Sequence, residues 1–501
     1  MNETVVLNGE NLTIDVFNQI VREGVKIEIH PDIMEKLVAT RKLVFDLADR
    51  GIPIYGFTVG VGWNKDKRVF GKYFEDYNRN LIYAHCVAVD PEASEETVRA
   101  AILGRLGTFL ACRTGVQPEV VIRYADFLNR GIHPVMPERG SVGQGDIACM
   151  SHLGLAVMGE GDVYYKGQRV PAKQALAAEG LFPVTLGPKD GLAIVSSSGL
   201  SMGKGALVLK DIRDLIEAGN KLYALSLEGL NGNITPLNSR VNEVRKMPGQ
   251  IQCAKDIRAY LSGSYLGKKD ITKTLQDPLS YRDVCALHGS VLDALEYVER
   301  YMEIHLNTTE DNPCVLLEDE KIVSCQNFEI PTVAMGLEML AISLSHVSKA
   351  SCLRTIKLST PVFTGLPRFL SPNEGEIQAY QTIQKPFTSL DTEIRHLANP
   401  TSMDRFSVAG DIEDTAYDAP YVVRRLEKIL DNLYYIFGLE AMHAVQAIDL
   451  REGIELGVET TKLYHKIREV IPFVDKDRPF TPDIKSGYEL FKSKKFVGEI
   501  L

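Results

Sequence analysis

Several features that would point to a membrane or to nucleic acid are missing from this sequence. It has no run of about eighteen apolar residues, which a membrane-spanning helix requires, and its polar, acidic N-terminus does not resemble a secretory signal. Basic residues number 56 against 66 acidic ones, and the net charge of −10 argues against nucleic acid or an anionic membrane as the main partner. We therefore expect a cytoplasmic protein that binds neither.

Recognisable metal-binding and redox spacings are also absent. The eight cysteines form no Cys-x-x-Cys pair, and the ten histidines include no His-Glu-x-x-His. Scattered cysteines in a long chain indicate reduced, mostly buried thiols. The sequence thus predicts neither a structural nor a catalytic metal.

The chain is rich in helical periodicity. Of its 501 residues, 45% are hydrophobic and 24% are charged, which is typical of a globular protein with a large core. Apolar residues recur at helical spacing over 31–49, 95–112 and 118–128, and longer helices are predicted over 279–306, 331–358 and 421–450. The dense apolar positions of these three predict a central antiparallel bundle. Short strands are expected near 4–7 and 162–170, where Lys166-Gly167 supplies a turn.

The expected fold is therefore mainly α, with a long central helix bundle and small β elements near the N-terminal part. Three consecutive segments are expected: an N-terminal active-site domain over 1–190, the long-helix bundle over 191–450, and an outer helical layer over 451–501. The last segment is charged and contains Pro472, Pro479 and Pro482, which favours a smaller layer of short elements.

The most informative stretch is Gly-Ser-Val-Gly-Gln-Gly-Asp at 140–146. It resembles the signature of the aromatic amino-acid ammonia-lyase superfamily, which includes the histidine and phenylalanine ammonia-lyases. Other stretches resemble motifs of that family in the same order along nearly the whole chain, at 55–62, 80–85, 276–282, 306–313, 324–328, 399–402 and 413–414. Together they imply the ammonia-lyase fold and its long central helices.

The resemblance fails at the reactive group of the family. In the family an Ala-Ser-Gly triplet cyclises and loses water, forming an electrophilic methylidene-imidazolone. Here Gln144 stands where Ala-Ser is expected, and one residue is missing. The electrophile therefore cannot form, and no cofactor is expected. A Ser-Ser-Gly triplet at 197–199 lies in another loop, and we interpret it as a turn or a helix entry.

Four further positions depart from the family pattern in motifs that, in the family, lie around the electrophile. The asparagine that contacts the electrophile in the family aligns with Ser196, and the tyrosine after Gln-Asp-Pro aligns with Leu279. Two family histidines align with Glu329 and Thr415. The frame of the site is thus kept while the side chains around the missing electrophile differ.

The missing electrophile restricts the substrates that the chain could cleave. The electrophile is usually described as capturing the substrate amine, which requires a lone pair on nitrogen. A quaternary trimethylammonium has no lone pair, and it already leaves as neutral trimethylamine. A betaine would make the prosthetic group both unusable and unnecessary. The remaining step is removal of the Cβ proton by a base, while the adjacent ring accepts the charge.

Among histidine-derived betaines, ergothioneine is the natural candidate, and elimination of trimethylamine would give thiourocanate. Within the superfamily the chain most resembles the ergothionases, which lack the prosthetic group. Two alternatives stay open: a prosthetic-group-free lyase acting on another histidine-like betaine or amino acid, such as hercynine, and a non-catalytic homologue. The presence of Tyr55, Arg282 and Glu413 argues against a non-catalytic protein, whereas the lost triplet and Leu279 argue for one.

Three residues are candidates for acid–base catalysis. Tyr55 matches the loop tyrosine of the family and is the candidate base, provided that cations such as Lys65, Lys67 or Lys385 lower its ordinary pKa of about 10. The alternative is that Tyr55 packs the Gly-rich loop.

Glu413 matches a glutamate near the substrate ring, where it would hold or protonate the imidazole or face the trimethylammonium. The alternative is a carboxylate at the N-terminus of a helix. Lys385, which the family lacks, would be an acid if enclosed, or an ordinary solvated lysine. The following Pro386 disfavours helix at Lys385.

The candidates for substrate binding are Arg282, Lys65, His85, Asn312 and Phe328. Arg282 matches the family arginine that clamps the substrate carboxylate, or it pairs with Asp277 or Asp283. Lys65 would bind carboxylate or thiolate, or remain solvated. The other three match family positions in or near the pocket, and hydrogen bonding for the histidine or packing for the other two is the competing interpretation.

The remaining candidates have less specific roles. Gln144 could simply fill the space of the electrophile, and Trp63, Tyr281 and Tyr380 are available for cation–π contact with a trimethylammonium, although aromatic residues are more often part of the core. The resemblance also implies a homotetramer that acts on a small-molecule substrate in active sites shared among subunits.

Overall fold

The computed structural model describes residues 4–69, 71–268, 274–404 and 406–494, and it is mainly helical. The chain groups into two compact units: the first comprises 1–210, 298–335 and 400–424, and the second comprises 211–297, 336–399 and 425–501. These units are discontinuous along the chain, and four of their five boundaries fall within long helices, while the boundary at 399/400 lies in a loop. The division into three consecutive segments stays a prediction.

The first part of the chain alternates helices with short strands. Its elements are β1 (Val5–Leu7), α1 (Ile14–Arg22), β2 (Ile27–Ile29), α2 (Pro31–Asp49), α3 (Phe74–His85), β3 (Val89–Glu92), α4 (Glu95–Phe109), α5 (Pro118–Arg130), β4 (Ile132–Pro134), β5 (Pro137–Arg139), α6 (Ile147–Val157), β6 (Asp162–Tyr165), β7 (Gln168–Pro171), α7 (Ala172–Ala178) and α8 (Asp190–Val195). Strands β1 and β2 pair in parallel, β3 and β5 pair antiparallel, and β4, β6 and β7 form a three-stranded antiparallel sheet.

The rest of the chain is dominated by long helices. Its elements are α9 (Gly199–Leu230), α10 (Ser239–Arg245), α11 (Pro248–Tyr260), α12 (Leu279–Arg282), α13 (Val284–Leu306), β8 (Cys314–Leu316), β9 (Lys321–Val323), α14 (Pro331–Leu358), α15 (Pro361–Thr364), α16 (Gln384–Leu397), α17 (Ala419–Asp449), α18 (Val458–Val470) and α19 (Thr481–Lys492). Strands β8 and β9 form an antiparallel hairpin in the first unit. The three predicted long helices are confirmed as α12–α13, α14 and α17.

Local sequence explains where several of these helices begin and end. Pro31 occupies the first turn of α2, the Ser94 side chain accepts the Thr97 N–H at the start of α4, and α5 ends at left-handed Gly131. The predicted hairpin at 162–170 is also confirmed, since Lys166 and Gly167 both have positive φ between β6 and β7.

Helix α9 was not predicted, and its glycines are the reason. Glycine lowers helix propensity, but here it permits close packing. In the first unit, a Cβ on Gly203 would lie 2.3 Å from the carbonyl oxygen of Ala100 in α4. In the second unit, a Cβ on Gly219 would lie 3.0 Å from the Phe437 ring of α17. The two glycines thus let α9 pack closely against α4 in the first unit and against α17 in the second.

The core of the second unit is a bundle of the long helices held by a buried ion pair. The Arg354 guanidinium of α14 lies 2.5 Å from the Glu440 carboxylate of α17, and both side chains are fully buried. Ser351 also donates to Glu440 at 2.5 Å. The outer helix α19 packs on α17, where Gly438 faces Gly487 and the Tyr435 and Tyr488 rings stack 4.0 Å apart.

In the described part of the chain, one segment is long and apolar enough to cross a membrane by length and composition. It spans Asp190–Leu230, and 94% of its most apolar window is buried inside the protein. The segment is interrupted by polar and charged residues, Lys204 and Lys210 among them, so it is not the continuous apolar run that a membrane span was expected to need. Packing against the other helices accounts for its hydrophobicity.

Candidate active site

A cavity of about 580 Å³ lies in the first unit, where segments from six parts of its sequence meet. Six of the eight residues that the sequence singled out as site residues line it: Tyr55, Lys65, His85, Asn312, Phe328 and Glu413. They come from the loop after α2, from the end of α3, from the loops flanking the β8–β9 hairpin, and from the segment before α17. Sequence-distant motifs thus converge on one concave surface.

Tyr55 is held in the cavity wall by its own loop. Its neighbours Ile54 and Phe57 are buried in an apolar cluster beneath the loop, and Gly56 has the positive φ that the turn requires. The Tyr55 hydroxyl oxygen accepts the Gly62 N–H at 2.6 Å. Burial raises the pKa of Tyr55, the Gly62 bond opposes the rise, and the Glu413 carboxylate adds to it.

A role as base was expected to need cations that lower the pKa of Tyr55. Within one chain the structure raises that pKa instead. Lys65 and Lys67 are both exposed to solvent, and Lys67 pairs with Asp66 at 3.1 Å. Within one chain these lysines do not outweigh burial. Cations that lower the pKa of Tyr55 have to come from elsewhere.

Glu413 lies beside the tyrosine loop. A Cβ placed on Gly62 would lie 3.5 Å from Glu413 Oε1, so the carboxylate closely approaches the glycine that donates to Tyr55. The backbone of Glu413 pairs with Val408 in a short antiparallel bridge. Helix α17 begins only at Ala419, so Glu413 does not cap it, and that alternative is wrong.

Gln144 connects the Gly-rich loop before α6 to the glutamate segment. Its side-chain Nε2 donates to the carbonyl oxygen of Thr415, and the residue is 9% exposed. The flanking glycines have positive φ, and added Cβ atoms would lie 3.0 Å from Ala419 N at Gly143 and 3.1 Å from Ser197 N at Gly145. A Cβ at either position would be strained by the positive φ and would displace neighbouring backbone by a few tenths of an ångström, so both positions favour glycine.

His85 and Asn312 each make one hydrogen bond that orients the side chain. His85 Nδ1 lies 2.7 Å from the carbonyl oxygen of Leu81 in α3. Because a carbonyl can only accept, Nδ1 donates, and Nε2 of the neutral ring remains an acceptor. Asn312 Oδ1 accepts the Cys325 N–H at 3.0 Å, which ties the loop before β8 to the loop after β9.

A buried ionic network joins two of the segments that line the cavity. The fully buried guanidinium of Arg105 donates to Glu310 at 2.9 Å, to Asp311 at 3.0 Å and to the carbonyl oxygen of Ala193 at 3.0 Å. Ser197 donates to Glu310 at 2.7 Å. Ala193 belongs to α8, Ser197 follows the lining residue Ser196, and Asp311 precedes Asn312, so the network around Arg105 joins two lining segments, 192–196 and the loop before β8.

Two buried acids, Glu310 and Asp146, have strongly shifted pKa values. Burial alone would raise the pKa of Glu310, but its hydrogen bond with His305 and the charge of Arg105 lower that pKa to about 2. Burial raises the pKa of Asp146 to about 7, against hydrogen bonds from the Ser201 N–H and hydroxyl at 2.6 and 2.8 Å. Asp146 thereby joins the Gly-rich loop to the start of α9.

Comparisons with known proteins decide the family. A family model described as Aromatic amino acid lyase matches residues 12–469. The histidine ammonia-lyase of Alkaliphilus metalliredigens is 32% identical over 99% of this chain and 98% of its own. The chain belongs to the aromatic amino acid lyase family. It is therefore an enzyme of the carbon–nitrogen lyase class, as the motifs predicted.

Solved structures of this family share the whole fold. Ergothionase from Treponema denticola, an ergothioneine-degrading enzyme crystallised with desmethyl-ergothioneine sulfonic acid, superposes with a TM-score of 0.97 and 46% identity over 99% of this chain and 100% of its own. Histidine ammonia-lyase from Trypanosoma cruzi superposes with a TM-score of 0.89 and 27% identity over 99% and 94%. The mainly helical, ammonia-lyase-like fold is thus confirmed, and so is the resemblance to ergothionase.

Four of the five departures from the family motifs fall together in the cavity, whereas Leu279 belongs to the second unit. Gln144, Ser196, Glu329 and Thr415 all line it, beside the family-like residues. The residues present do not fit the prosthetic group of the family, because one glutamine stands between the two glycines and its amide is bonded to another loop. The Ser-Ser-Gly triplet is a helix entry, as predicted, since α9 begins at Gly199.

Two predicted residues are not among the described residues that line the cavity. Arg282 and Lys385 belong to the second unit. Arg282 lies 3.6 Å from Asp283, which matches the ion pair considered from the sequence. Lys385 is exposed in the first turn of α16, where Pro386 is tolerated, so the expectation that this proline disfavours helix was wrong. Both catalytic and binding assignments stay predictions.

The three aromatic candidates for cation–π contact have different environments. Tyr281 and Tyr380 are fully buried in the second unit, where the Tyr281 hydroxyl lies 3.0 Å from the Ser226 hydroxyl and the Tyr380 ring lies 4.4 Å from the His443 ring. They are core residues. Trp63 is 69% exposed and contacts Gly410 beside the cavity.

The Arg105 network was not predicted from the sequence. Its acids, Glu310 and Asp311, lie in a family-like motif, but Arg105 lies in a mostly apolar helix and gave no motif signal. A lone cation within an apolar stretch is almost never fully buried unless it is paired. That rule was the available signal.

Proposed function

We propose that this lyase eliminates trimethylamine from ergothioneine to give thiourocanate, without a prosthetic electrophile. The observation that carries the proposal is that the family's acid–base frame and the replaced residues line the same cavity. A tyrosine and a glutamate remain beside each other, while the residue that would form the electrophile is a hydrogen-bonded glutamine. The 46% identity to ergothionase of Treponema denticola supports the choice of substrate.

The proposed step needs only acid–base chemistry. A base removes the Cβ proton, the electrons of that C–H bond form the Cα–Cβ double bond, and the Cα–N electron pair leaves on neutral trimethylamine. The 2-thio-imidazole ring accepts charge as the proton leaves, and an acid close to the ring stabilises that charge. No lone pair on the leaving nitrogen is required at any stage.

We assign the roles as follows. Tyr55 is the base, and Glu413 with Lys385 supplies acid catalysis at the ring. Arg282 and Lys65 bind the carboxylate or the sulfur of the substrate. His85, Asn312 and Phe328 complete the walls of the pocket.

A base that works near neutral pH needs a lowered pKa, but within a single chain burial raises the pKa of Tyr55. We propose that the enzyme works in the cytoplasm as a homotetramer with shared active sites, in which Arg282 and Lys385 are contributed by another subunit. Two added cations near the phenol would lower its pKa and favour the phenolate. Family resemblance supports this assembly.

One assay tests the proposal. The purified protein is incubated separately with ergothioneine, hercynine and histidine, while trimethylamine or ammonia release and the ultraviolet absorbance of the conjugated product are followed. We expect product from ergothioneine. Turnover of hercynine alone would identify hercynine as the substrate in place of ergothioneine. Deamination of histidine would refute the mechanism. Absence of both turnover and binding for all three would favour a non-catalytic homologue.

A matched pair of variants tests the base. Tyr55→Phe should abolish turnover while ergothioneine binding remains measurable, because it removes only the hydroxyl. Tyr164→Phe is the control, since the Tyr164 hydroxyl bonds to Glu92 at 2.9 Å outside the cavity. Equal activity of the two variants would exclude Tyr55 as the base.

A further inference from the structure

We infer that Gln144, at the place of the missing electrophile, is a positioning residue that holds Glu413 in the active site. The inference rests on the proposed function, in which Glu413 is an acid. The starting observation is the bond from Gln144 Nε2 to the carbonyl oxygen of Thr415, two residues after Glu413. A side chain that only filled space would not need to bridge two loops.

The loop that carries Gln144 is rigid enough to serve as an anchor. Gly143 and Gly145 contact neighbouring backbone so closely that no Cβ fits without displacement. The Asp418 N–H donates to the carbonyl oxygen of Val142 at 2.9 Å, and Asp146 N–H donates to the carbonyl oxygen of Ser197 at 2.5 Å. Backbone hydrogen bonds thus hold the loop on both sides of Gln144.

The segment that carries Glu413 is exposed by comparison and depends on its contacts. Residues 411, 412, 414 and 415 are exposed, and Glu413 itself is half-buried. Two backbone hydrogen bonds of 3.1 and 3.4 Å pair Val408 with Glu413. The indole of Trp63 covers Gly410, where an added Cβ would lie 2.8 Å from the ring. Glu413 therefore lies between a tryptophan contact on one side and the Gln144 bond on the other.

This placement gives Gln144 a kinetic role. A misplacement of a catalytic group by about 1 Å can cost about a hundredfold in rate. After loss of the Thr415 bond, the exposed segment would be tied to the Gly-rich loop through the Asp418–Val142 hydrogen bond three residues further on, and the Glu413 carboxylate would gain freedom to move relative to Tyr55. The effect should appear in kcat, since Gln144 acts through Glu413 and does not itself hold the substrate.

The test compares Gln144→Leu, Gln144→Glu and the control Gln174→Leu, in which an exposed glutamine of α7 receives the same substitution. We expect Gln144→Leu to lower kcat between about tenfold and a hundredfold with a smaller change in KM. Gln144→Glu should be equally slow near neutrality and partly recover at acidic pH, because the protonated acid can again donate to the Thr415 carbonyl. The control should retain wild-type activity.

A double-mutant cycle identifies the residue through which Gln144 acts. In the Glu413→Gln background, Gln144→Leu should lower kcat by less than about twofold, since the group that it positions is already gone. Additive losses would mean that Gln144 acts on the substrate directly, and an unchanged kcat in Gln144→Leu would mean that it only fills space. Either result overturns the inference.

Hydrogen exchange separates this inference from the proposed function. Amides of 408–415 should exchange faster in Gln144→Leu than in the wild type or in Gln174→Leu, whichever substrate the enzyme uses. If ergothioneine is inert and another compound is turned over, the cycle is run with that compound. Unchanged exchange in 408–415 overturns the inference even if ergothioneine is the substrate. Should Gln144→Leu fail to fold, Gln144→Glu supplies both readouts.

Discussion

Removal of the buried cation behind the active site should strongly destabilise the enzyme. Arg105→Met keeps most of the apolar stem but deletes the guanidinium that lies 2.9 Å from Glu310 and 3.0 Å from Asp311. All three side chains are almost completely buried. The variant would leave two carboxylates and the Ala193 carbonyl oxygen without their cationic partner.

The magnitude follows from the geometry. Breaking a buried ion pair by removing one partner costs about 3–5 kcal/mol. The loss is limited because each carboxyl group can take up a proton, and for a group with an ordinary pKa near 4.5 that costs about 3 kcal/mol at neutral pH. We therefore expect the free energy of unfolding to fall by about 3–5 kcal/mol at neutral pH.

The pH dependence provides a second, independent signature. In the wild type the pKa of Glu310 is lowered to about 2, so its contribution is present above the unfolded value of 4.5 and is lost as pH falls towards 2. In the variant the buried carboxyl groups favour protonation. The difference between the two proteins should therefore shrink as the pH is lowered from neutrality towards the unfolded pKa.

Urea unfolding followed by far-ultraviolet circular dichroism measures this effect, at one protein concentration so that any subunit association is constant. Arg169→Met is the matched control, because Arg169 is half-exposed and solvent screens its ion pairs with Glu92 and Asp162, so their loss should change stability little. Adding Glu310→Gln to Arg105→Met should recover part of the loss. A cost below about 1 kcal/mol, or one independent of pH, would refute the network's role.

Two further predictions concern titrating groups. Tyr55 has to lose its proton to act as the base, so kcat/KM of the wild type should increase with pH until the phenol of the assembled enzyme is ionised. Burial within one chain raises the pKa of Tyr55 and the proposed cations of another subunit lower it, so Lys385→Met should move this rise to higher pH; a profile that is flat from acidic to alkaline pH would argue against a phenolate base. Burial raises the pKa of Asp146 to about 7 from 3.8, so its protonated form stabilises the fold fully below 3.8 and this contribution is lost as pH rises through about 7. Asp146→Asn should remove that part of the pH dependence in urea titrations, and an unchanged slope would contradict the burial argument.

The sequence predicted most of the helical framework because its signals are local. Pro31 and the apolar spacing that follows it defined α2 at both ends, and Lys166-Gly167 defined the β6–β7 turn. Helix α9 was missed because Gly203 and Gly219 count against helix in isolation. Their function is to let other helices approach, and that benefit exists only in the packed protein.

The candidate site was predictable where side chains match family motifs and not where they act through other residues. Tyr55 and Glu413 were found by their motifs and line the cavity together. The role of Arg105 could not be predicted, because its acidic partners Glu310 and Asp311 lie about two hundred residues away in the sequence and its helix matches no motif. The raised pKa of Tyr55 was also missed, since the sequence places lysines nearby but does not show that they face solvent.

The position of the departures argues that the site has changed and not decayed. A lyase that had lost its function would be expected to accumulate substitutions throughout the pocket, its acid–base residues included. Here Gln144, Ser196, Glu329 and Thr415 differ from the family while Tyr55 remains beside them. Gln144, at the electrophile position, is nearly buried, and its side chain bonds to the backbone of another loop. Random substitution in a site that had lost its function would not be expected to produce such a contact. A substrate whose nitrogen leaves unaided is the kind of substrate that makes such a replacement useful.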